Sequence, residues 1–228
     1  MPRQQRCTKV EPRRSGGRFA AHDPFRVRYA RNELVCHEGS YAAGVYIIES
    51  GLVSESNLDP RGATAKPYAI LGPGELIGLE ILVPGDNELH RTSCRALVDT
   101  ELSFLERDRF LSALEIDDPL RRFVLESISR RLFALAASVR RGSVPPDERL
   151  CALLLDLTVT HGRTSARGDA VLPPPINRRL ISELAGLSAS QFRRAWDTLP
   201  TLEGASEREG IRLSPQALSA WLEESRRL

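Results

Sequence analysis

Residues 176–199 read INRRLISELAGLSASQFRRAWDTL. The segment is two short helices joined by a tight turn at Gly186. Leu180, Leu184, Leu187, Phe192 and Trp196 occupy packing positions that hold the pair together. Ser188 followed three residues later by Gln191 has the spacing of a capping box, which marks where the second helix begins. A two-helix unit of this kind is how a small domain presents one helix to the major groove of duplex DNA.

The chemistry of the segment agrees with that use. Its cations up to Trp196 are Arg178, Arg179, Arg193 and Arg194, against the single acid Glu183. Such a local excess supplies phosphate affinity. Ala189, Ser190, Gln191, Arg193 and Arg194 lie early in the second helix, where side chains reach base edges. Arg194 suits guanine and Gln191 suits adenine, although Gln191 is equally accounted for by capping alone. Arg193 fits a phosphate contact or solvent.

Outward from this segment, 228 residues allow two modest domains. Apolar (41%) and charged (27%) fractions are those of a globular protein, so a packed core is expected. The net charge of +2 argues neither for nor against nucleic acid. Lys9 and Lys66 are the only lysines, so nearly all positive charge is carried by the planar guanidinium. No apolar run approaches the roughly 20 residues of a membrane span, and the basic N-terminus lacks the apolar stretch of a secretory signal. A cytoplasmic protein without a membrane partner is expected. Cys7, Cys36, Cys94 and Cys151 show no CxxC spacing and read as reduced, buried thiols. A redox role for Cys94 or Cys151 stays open. No paired carboxylates, nucleophile elbow or phosphate-cradling glycine loop suggests an enzyme.

Four segments follow. Residues 1–20, rich in Arg, Pro and Gly, read as a flexible basic arm. Residues 21–118 carry short apolar runs broken by turns such as Asp59-Pro60-Arg61-Gly62 and Leu71-Gly72-Pro73-Gly74, the pattern of a β-roll. Residues 119–142 lose all turn signals. There Leu125, Ile128, Leu132, Leu135 and Val139 recur at spacings of three and four, a heptad seam that predicts pairing with a second helix. Residues 143–228 begin at the hinge-like GSVPP and hold a helix from Glu148, the two-helix unit, a wing of two short strands within 203–213, and a terminal helix over 218–228. The class is α+β.

YIIESGLV (46–53), GPGELIG (72–78), RALVDTELSFLERDRF (95–110) and PPDERLCALLLDL (145–157), in that order and ahead of residues 176–186, resemble the CRP/FNR superfamily of bacterial transcription regulators. The resemblance implies a β-roll, a dimerisation helix and a winged helix-turn-helix. It implies a homodimer on a pseudo-palindromic operator, contact with RNA polymerase, and an effector held between roll and dimer helix. In family register Ala189 and Ser190 replace two of the usual base readers, and Arg194 retains the third. The effector cassette falls on Gly78, Glu80, His90, Arg91 and Thr92. His90, not Arg91, takes the place of the arginine that binds a cyclic phosphate. Leu135 and Ala136 take the place of the hydroxyl pair that binds adenine. Control by cyclic AMP is therefore not expected, and the effector is apolar, of another kind, or absent. With only Cys7 in the arm an iron–sulfur cluster is not expected. No other metal site is indicated, while haem stays open through His22, His37, His90 and His161. A second reading keeps the ligand-sensing module but has its C-terminal domain bind protein rather than DNA.

Overall fold

The computed structural model describes residues 19–57, 66–83, 89–164, 168–200 and 210–227. The expected arm lies outside these residues up to position 18. Its last two positions are not arm, which corrects the expected boundary. Phe19 is fully buried, edge-on to Phe110 with ring centroids 5.9 Å apart, and a short 3-10 turn, Ala20–His22, follows. An aromatic ring with an apolar partner in reach gains more from burial than from water.

The chain divides into two units, residues 1–131 and 132–228. Among the described residues the first is built on eight strands: β1 (Phe25–Tyr29), β2 (Leu34–Cys36), β3 (Gly44–Ser50), β4 (Val53–Ser56), β5 (Pro67–Leu71), β6 (Leu76–Ile77), β7 (Ser93–Ala96) and β8 (Thr100–Glu106). They form two antiparallel four-stranded sheets, ordered β1-β8-β3-β6 and β2-β7-β4-β5. Strand alternation gives the first sheet two apolar faces. Ile48, Leu102, Tyr46 and Phe104 face the second sheet and join Val35, Val53, Leu71 and Ala96 in one core. Val45, Ile47 and Leu105 point the other way, into a second core.

Helices cover that other face. α1 (Arg107–Ile116) supplies Phe110 and Ala113, and the start of α2 (Asp118–Arg141) supplies Leu120, Phe123 and Val124. Asp117 separates the two helices. Its Oδ1 accepts from the Leu120 N–H at 2.9 Å, and its Oδ2 lies 2.8 Å from His22 Nε2, so the second helix opens on a side-chain cap. The seam residues Leu125, Ile128, Leu132, Leu135 and Val139 are 39–70% exposed, with Phe133 exposed beside them.

The second unit contains α3 (Pro146–His161), β9 (Arg163–Thr164), β10 (Ala170–Leu172), α4 (Arg178–Leu184), α5 (Ala189–Thr198), β11 (Ile211–Leu213) and α6 (Pro215–Ser225). The strands form an antiparallel sheet ordered β11-β10-β9. Of the two wing strands expected within 203–213, β11 is present, and residues 201–209 lie outside the described ones. The partner of β11 is β10, from a stretch whose polar composition reads as loop. The terminal helix starts earlier than expected, because Ser214 Oγ accepts from the Ala217 N–H at 3.3 Å and Pro215 sits in the first turn. Among the described residues no helix is long and apolar enough to cross a membrane.

If Phe19 anchors the sheet–helix core, Phe19→Ala lowers the unfolding free energy by roughly 3–5 kcal/mol in urea titrations. A change within about 0.5 kcal/mol is what a residue of a solvated arm would show.

Candidate functional site

Local signals build the helix-turn-helix. Asn177 caps α4, its Oδ1 accepting from the Leu180 N–H at 3.0 Å. Gly186 ends it with φ +63°, a left-handed conformation that favours glycine. Across the turn the Leu187 N–H donates to the Ser182 carbonyl at 3.1 Å, and the Ser182 hydroxyl donates to the Leu187 carbonyl at 3.2 Å. The predicted capping box opens α5. The Gln191 N–H donates to Ser188 Oγ at 3.3 Å, and the Ser188 N–H donates to Gln191 Oε1 at 3.0 Å.

One face of α5 holds it in place. Ala195, Trp196 and the following Leu199 are buried, with the helix packed against α3. Phe192 stacks at a tilt on Trp196, 5.3 Å between centroids, and the Arg178 guanidinium lies 4.7 Å above the Trp196 ring. Arg178 thus ties α4 to α5 as well as carrying charge. Arg179 Nε donates to Glu183 Oε1 at 3.1 Å on an exposed surface, a pairing worth little. The opposite face of α5 presents Ala189, Ser190, Arg193, Arg194 and Asp197 to solvent. Ser190 Oγ is 3.2 Å from Ser188 Oγ. Gln191 is different. Its carbonyl oxygen already accepts from the cap, so a two-point contact with adenine would have to share that acceptor.

The roll brings together most of the second predicted cluster. β6 ends at Gly78, which has φ +93° and sits so close to β3 that a Cβ there would lie 2.5 Å from the Gly44 carbonyl oxygen. A 3-10 turn, Leu79–Leu82, follows and carries Glu80. Glu80 Oε1 meets His90 Nδ1 at 2.5 Å, with His90 buried. Burial opposes charge on both but is outweighed, on Glu80 by the bond from His90, and on His90 by Cys36 first and then Glu80. Glu80 is held below the usual carboxylate range, and His90, which also bonds the Cys36 thiol, is raised to about 9. The cation at the expected phosphate position is therefore engaged by the cassette's own carboxylate. Arg91 is exposed. Thr92 turns elsewhere, its hydroxyl donating to Glu55 Oε1 at 2.9 Å. Leu135 and Ala136, in the second unit, are exposed on α2.

Glu55, Arg131, Tyr68 and the contact between Cys36 and Cys94 escape a reading of the sequence. Buried Glu55 on β4 bonds the Arg131 guanidinium as well as Thr92, and Arg131 also donates to the Leu76 carbonyl at 3.0 Å. Burial and Glu55 together push the Tyr68 hydroxyl up. Cys36 bonds both Cys94 and His90, and the Cys94 thiol, outweighing burial, brings Cys36 down to about 6. An acid in an otherwise uncharged strand is the one signal that could have marked Glu55. Among the described residues, no three His, Cys, Asp or Glu side chains gather in a metal-binding group.

Residues 26–117 match the cyclic nucleotide-binding domain family. No curated protein matches the chain by sequence. Among solved structures, FixK2 from Bradyrhizobium japonicum is 24% identical with a TM-score of 0.69, covering 86% of this chain and 95% of its own. TTHA1359, a CRP/FNR family transcriptional regulator from Thermus thermophilus, is 18% identical with a TM-score of 0.67, covering 87% and 98%. CLP, a c-di-GMP responsive global regulator of Xanthomonas campestris, is 21% identical with a TM-score of 0.67, covering 86% and 96%. The chain carries a cyclic nucleotide-binding-type domain and has the fold of the CRP/FNR regulators.

The His90 cluster sets a pH signature. His90 binds its proton more tightly folded than unfolded, so its contribution is complete below 6.5 and is lost as pH rises through about 9. Cys36 does the reverse: its contribution is complete above 9.0 and lost as pH falls through about 6. Between these values the two slopes offset. Cys36→Ser removes the second and weakens the first, because Cys36 is the largest cause raising His90, so the offset is lost and the variant's stability relative to wild type changes with pH between about 6.5 and 9. Urea midpoints across that range measure it, and a constant difference between the two proteins would contradict the coupled cluster.

Proposed function

We propose that this protein is a homodimeric, sequence-specific DNA-binding transcription regulator. The observation that carries the reading is α5 itself. Its buried face is anchored on α3, its start is capped, and its solvent face sets Arg193 and Arg194 beside the small Ala189 and Ser190. In this reading α5 enters the major groove. Arg194 reads guanine with its two-pronged guanidinium, and Arg178, Arg179 and Arg193 contact phosphates. Ser188 and Gln191 orient the helix, while Ala189 and Ser190 let the backbone approach the bases and contribute little discrimination.

Dimerisation supplies the second reader. Leu125, Ile128, Leu132, Leu135 and Val139 form an exposed apolar stripe on α2, and a second copy of the same helix would bury it. A two-fold dimer then binds a pseudo-palindromic site with half-sites about one helical turn apart. RNA polymerase is the natural further partner of such a regulator. Cyclic AMP is not the effector in this proposal. His90 is already paired with Glu80, and Leu135-Ala136 offers no hydrogen bond to an adenine edge, which would cost about 1–3 kcal/mol.

Binding to duplexes selected from a random pool tests the reading, with scrambled duplexes and several salt concentrations as references. Wild-type affinity falls steeply with salt. Arg194→Ala weakens the selected duplex by roughly 1–3 kcal/mol and narrows the gap to scrambled DNA, whereas Arg193→Ala lowers the salt slope by about one. An unchanged gap removes Arg194 from the readout. A protein that ignores every duplex at low salt, yet still captures a protein partner through its C-terminal domain, supports the protein-binding alternative. For the seam, Leu132→Asp is expected to yield monomers in native mass spectrometry, and dimers that persist would place the interface elsewhere.

A further inference from the structure

Two cysteines of the inter-sheet core stand opposite each other. Cys36 closes β2, Cys94 lies in β7, and the strand register pairs them at a β-bulge that shifts the ladder between Leu34 and Cys36. Directly opposed residues of an antiparallel ladder have Cα atoms about 4.5–5.5 Å apart. A disulfide bridges Cα atoms about 4.4–6.8 Å apart, a range that includes cross-strand partners. Both thiols are reduced and buried, and they lie close enough to influence each other's protonation. Their surroundings differ. Cys36 also bonds His90, whose other partner is Glu80, and Cys36 Sγ lies 3.8 Å from the Thr92 carbonyl oxygen. Cys94 faces Cys36 with Glu55 and Thr92 as its further neighbours. Cys36 is held down to about 6, chiefly by the Cys94 thiol and then by His90, while Cys94 is driven up by Cys36 and by burial. The shifts run in opposite directions, Cys36 towards the thiolate and Cys94 towards the thiol, the division of labour of a nucleophile and a resolving thiol.

We propose that Cys36 and Cys94 are a peroxide-responsive pair that closes to an intramolecular disulfide, with Cys36 attacking and Cys94 resolving. The oxidant is a small hydroperoxide such as hydrogen peroxide. The Cys36 sulfur attacks one peroxide oxygen. An S–O bond forms, the O–O bond breaks, and its electron pair leaves on the second oxygen, which takes up the proton Cys36 had given away and departs as water. The Cys94 sulfur then attacks the sulfenic sulfur. The S–S bond forms, the S–O bond breaks, and the leaving hydroxide takes the Cys94 proton as a second water. Two thiols and one peroxide thus become one disulfide and two waters, with two electrons passed from sulfur to oxygen. The bond would link β2 to β7 at the foot of the Glu80–His90 cassette, because Cys36 and His90 are in contact. The site is separate from the proposed DNA reader, and its chemistry does not depend on it.

The test treats reduced full-length protein with one equivalent of hydrogen peroxide, alkylates remaining thiols under denaturing conditions, and maps non-reduced peptides by mass spectrometry. The expected result is a cross-linked pair of peptides carrying Cys36 and Cys94, a loss of two hydrogens from the intact mass, and Cys151 still alkylated. Cys36→Ser should leave Cys94 alkylatable and slow peroxide consumption by about tenfold or more. Cys94→Ser should halt at a sulfenic acid on Cys36, trapped by dimedone. Should either variant fail to fold, the wild-type peptide map decides by itself. Wild-type protein in which both cysteines stay alkylatable overturns the proposal. So does a product in which either one joins Cys7, Cys151 or a second chain, or gains oxygen without bridging.

Discussion

Burial of both faces of the β1-β8-β3-β6 sheet is the constraint on which the first unit depends. Ile48 and Leu102 on one face, and Val45, Ile47 and Leu105 on the other, are all withdrawn from water. Each such side chain contributes about 1.5–3 kcal/mol when buried. A second sheet must therefore cover one face, and helices the other. The helices that do so are α1 and the opening turns of α2, locked by Phe110, Leu120, Phe123 and Val124. That docking carries Arg131, two turns further along α2, to the carboxylate of Glu55 and the carbonyl of Leu76. The same sheet sets the cassette, because β6 can pair with β3 and turn away only where Gly78 leaves room under the Gly44 carbonyl.

The roll interior is consequently not a purely apolar core. Glu55, His90 and the two cysteines are buried in it, and each polar group has partners. Buried charges cost desolvation and gain it back only when paired and hydrogen-bonded. Here the pairing is internal. Glu80 takes His90, and Glu55 takes Arg131 and Thr92. A ligand with a negative group would have to compete with carboxylates already in place. The domain type matched over residues 26–117 and the ligand it accommodates are thus separate questions. The residues that answer the second belong to this chain rather than to the fold.

The second unit follows another logic. Its helix-turn-helix is specified by short-range chemistry: Asn177 and Ser188 as caps, Gly186 as the turn, and Gln191 closing the box. The core supplies only orientation, through Trp196 against Phe192 and Arg178 and through the packing of α5 on α3. A helix held on one face and capped at its start leaves the other face free to vary. That is why small residues such as Ala189 and Ser190 can occupy it without disturbing the motif.

Much of this was legible in the residues themselves, because the deciding interactions are local. Caps, turns and hydrophobic period act over three to seven positions, so the two-helix unit, the long helix with its seam and the alternation of the roll could all be recognised from the chain alone. What could not be recognised depends on strand register and docking. Ala170–Leu172 became a strand because β11 offered a partner, despite a polar setting. Phe19 left the arm because Phe110 lay within reach. Gln191 kept its carbonyl oxygen for the cap, and His90 was claimed by Glu80. Cys36 and Cys94 are 58 positions apart in sequence, and Glu55 and Arg131 are 76 apart. No periodicity relates residues at such distances. Only the pairing of β2 with β7, and the seating of α2 on the sheet, brings them into contact, since non-local contacts are set by the whole core closing at once rather than by any segment within it.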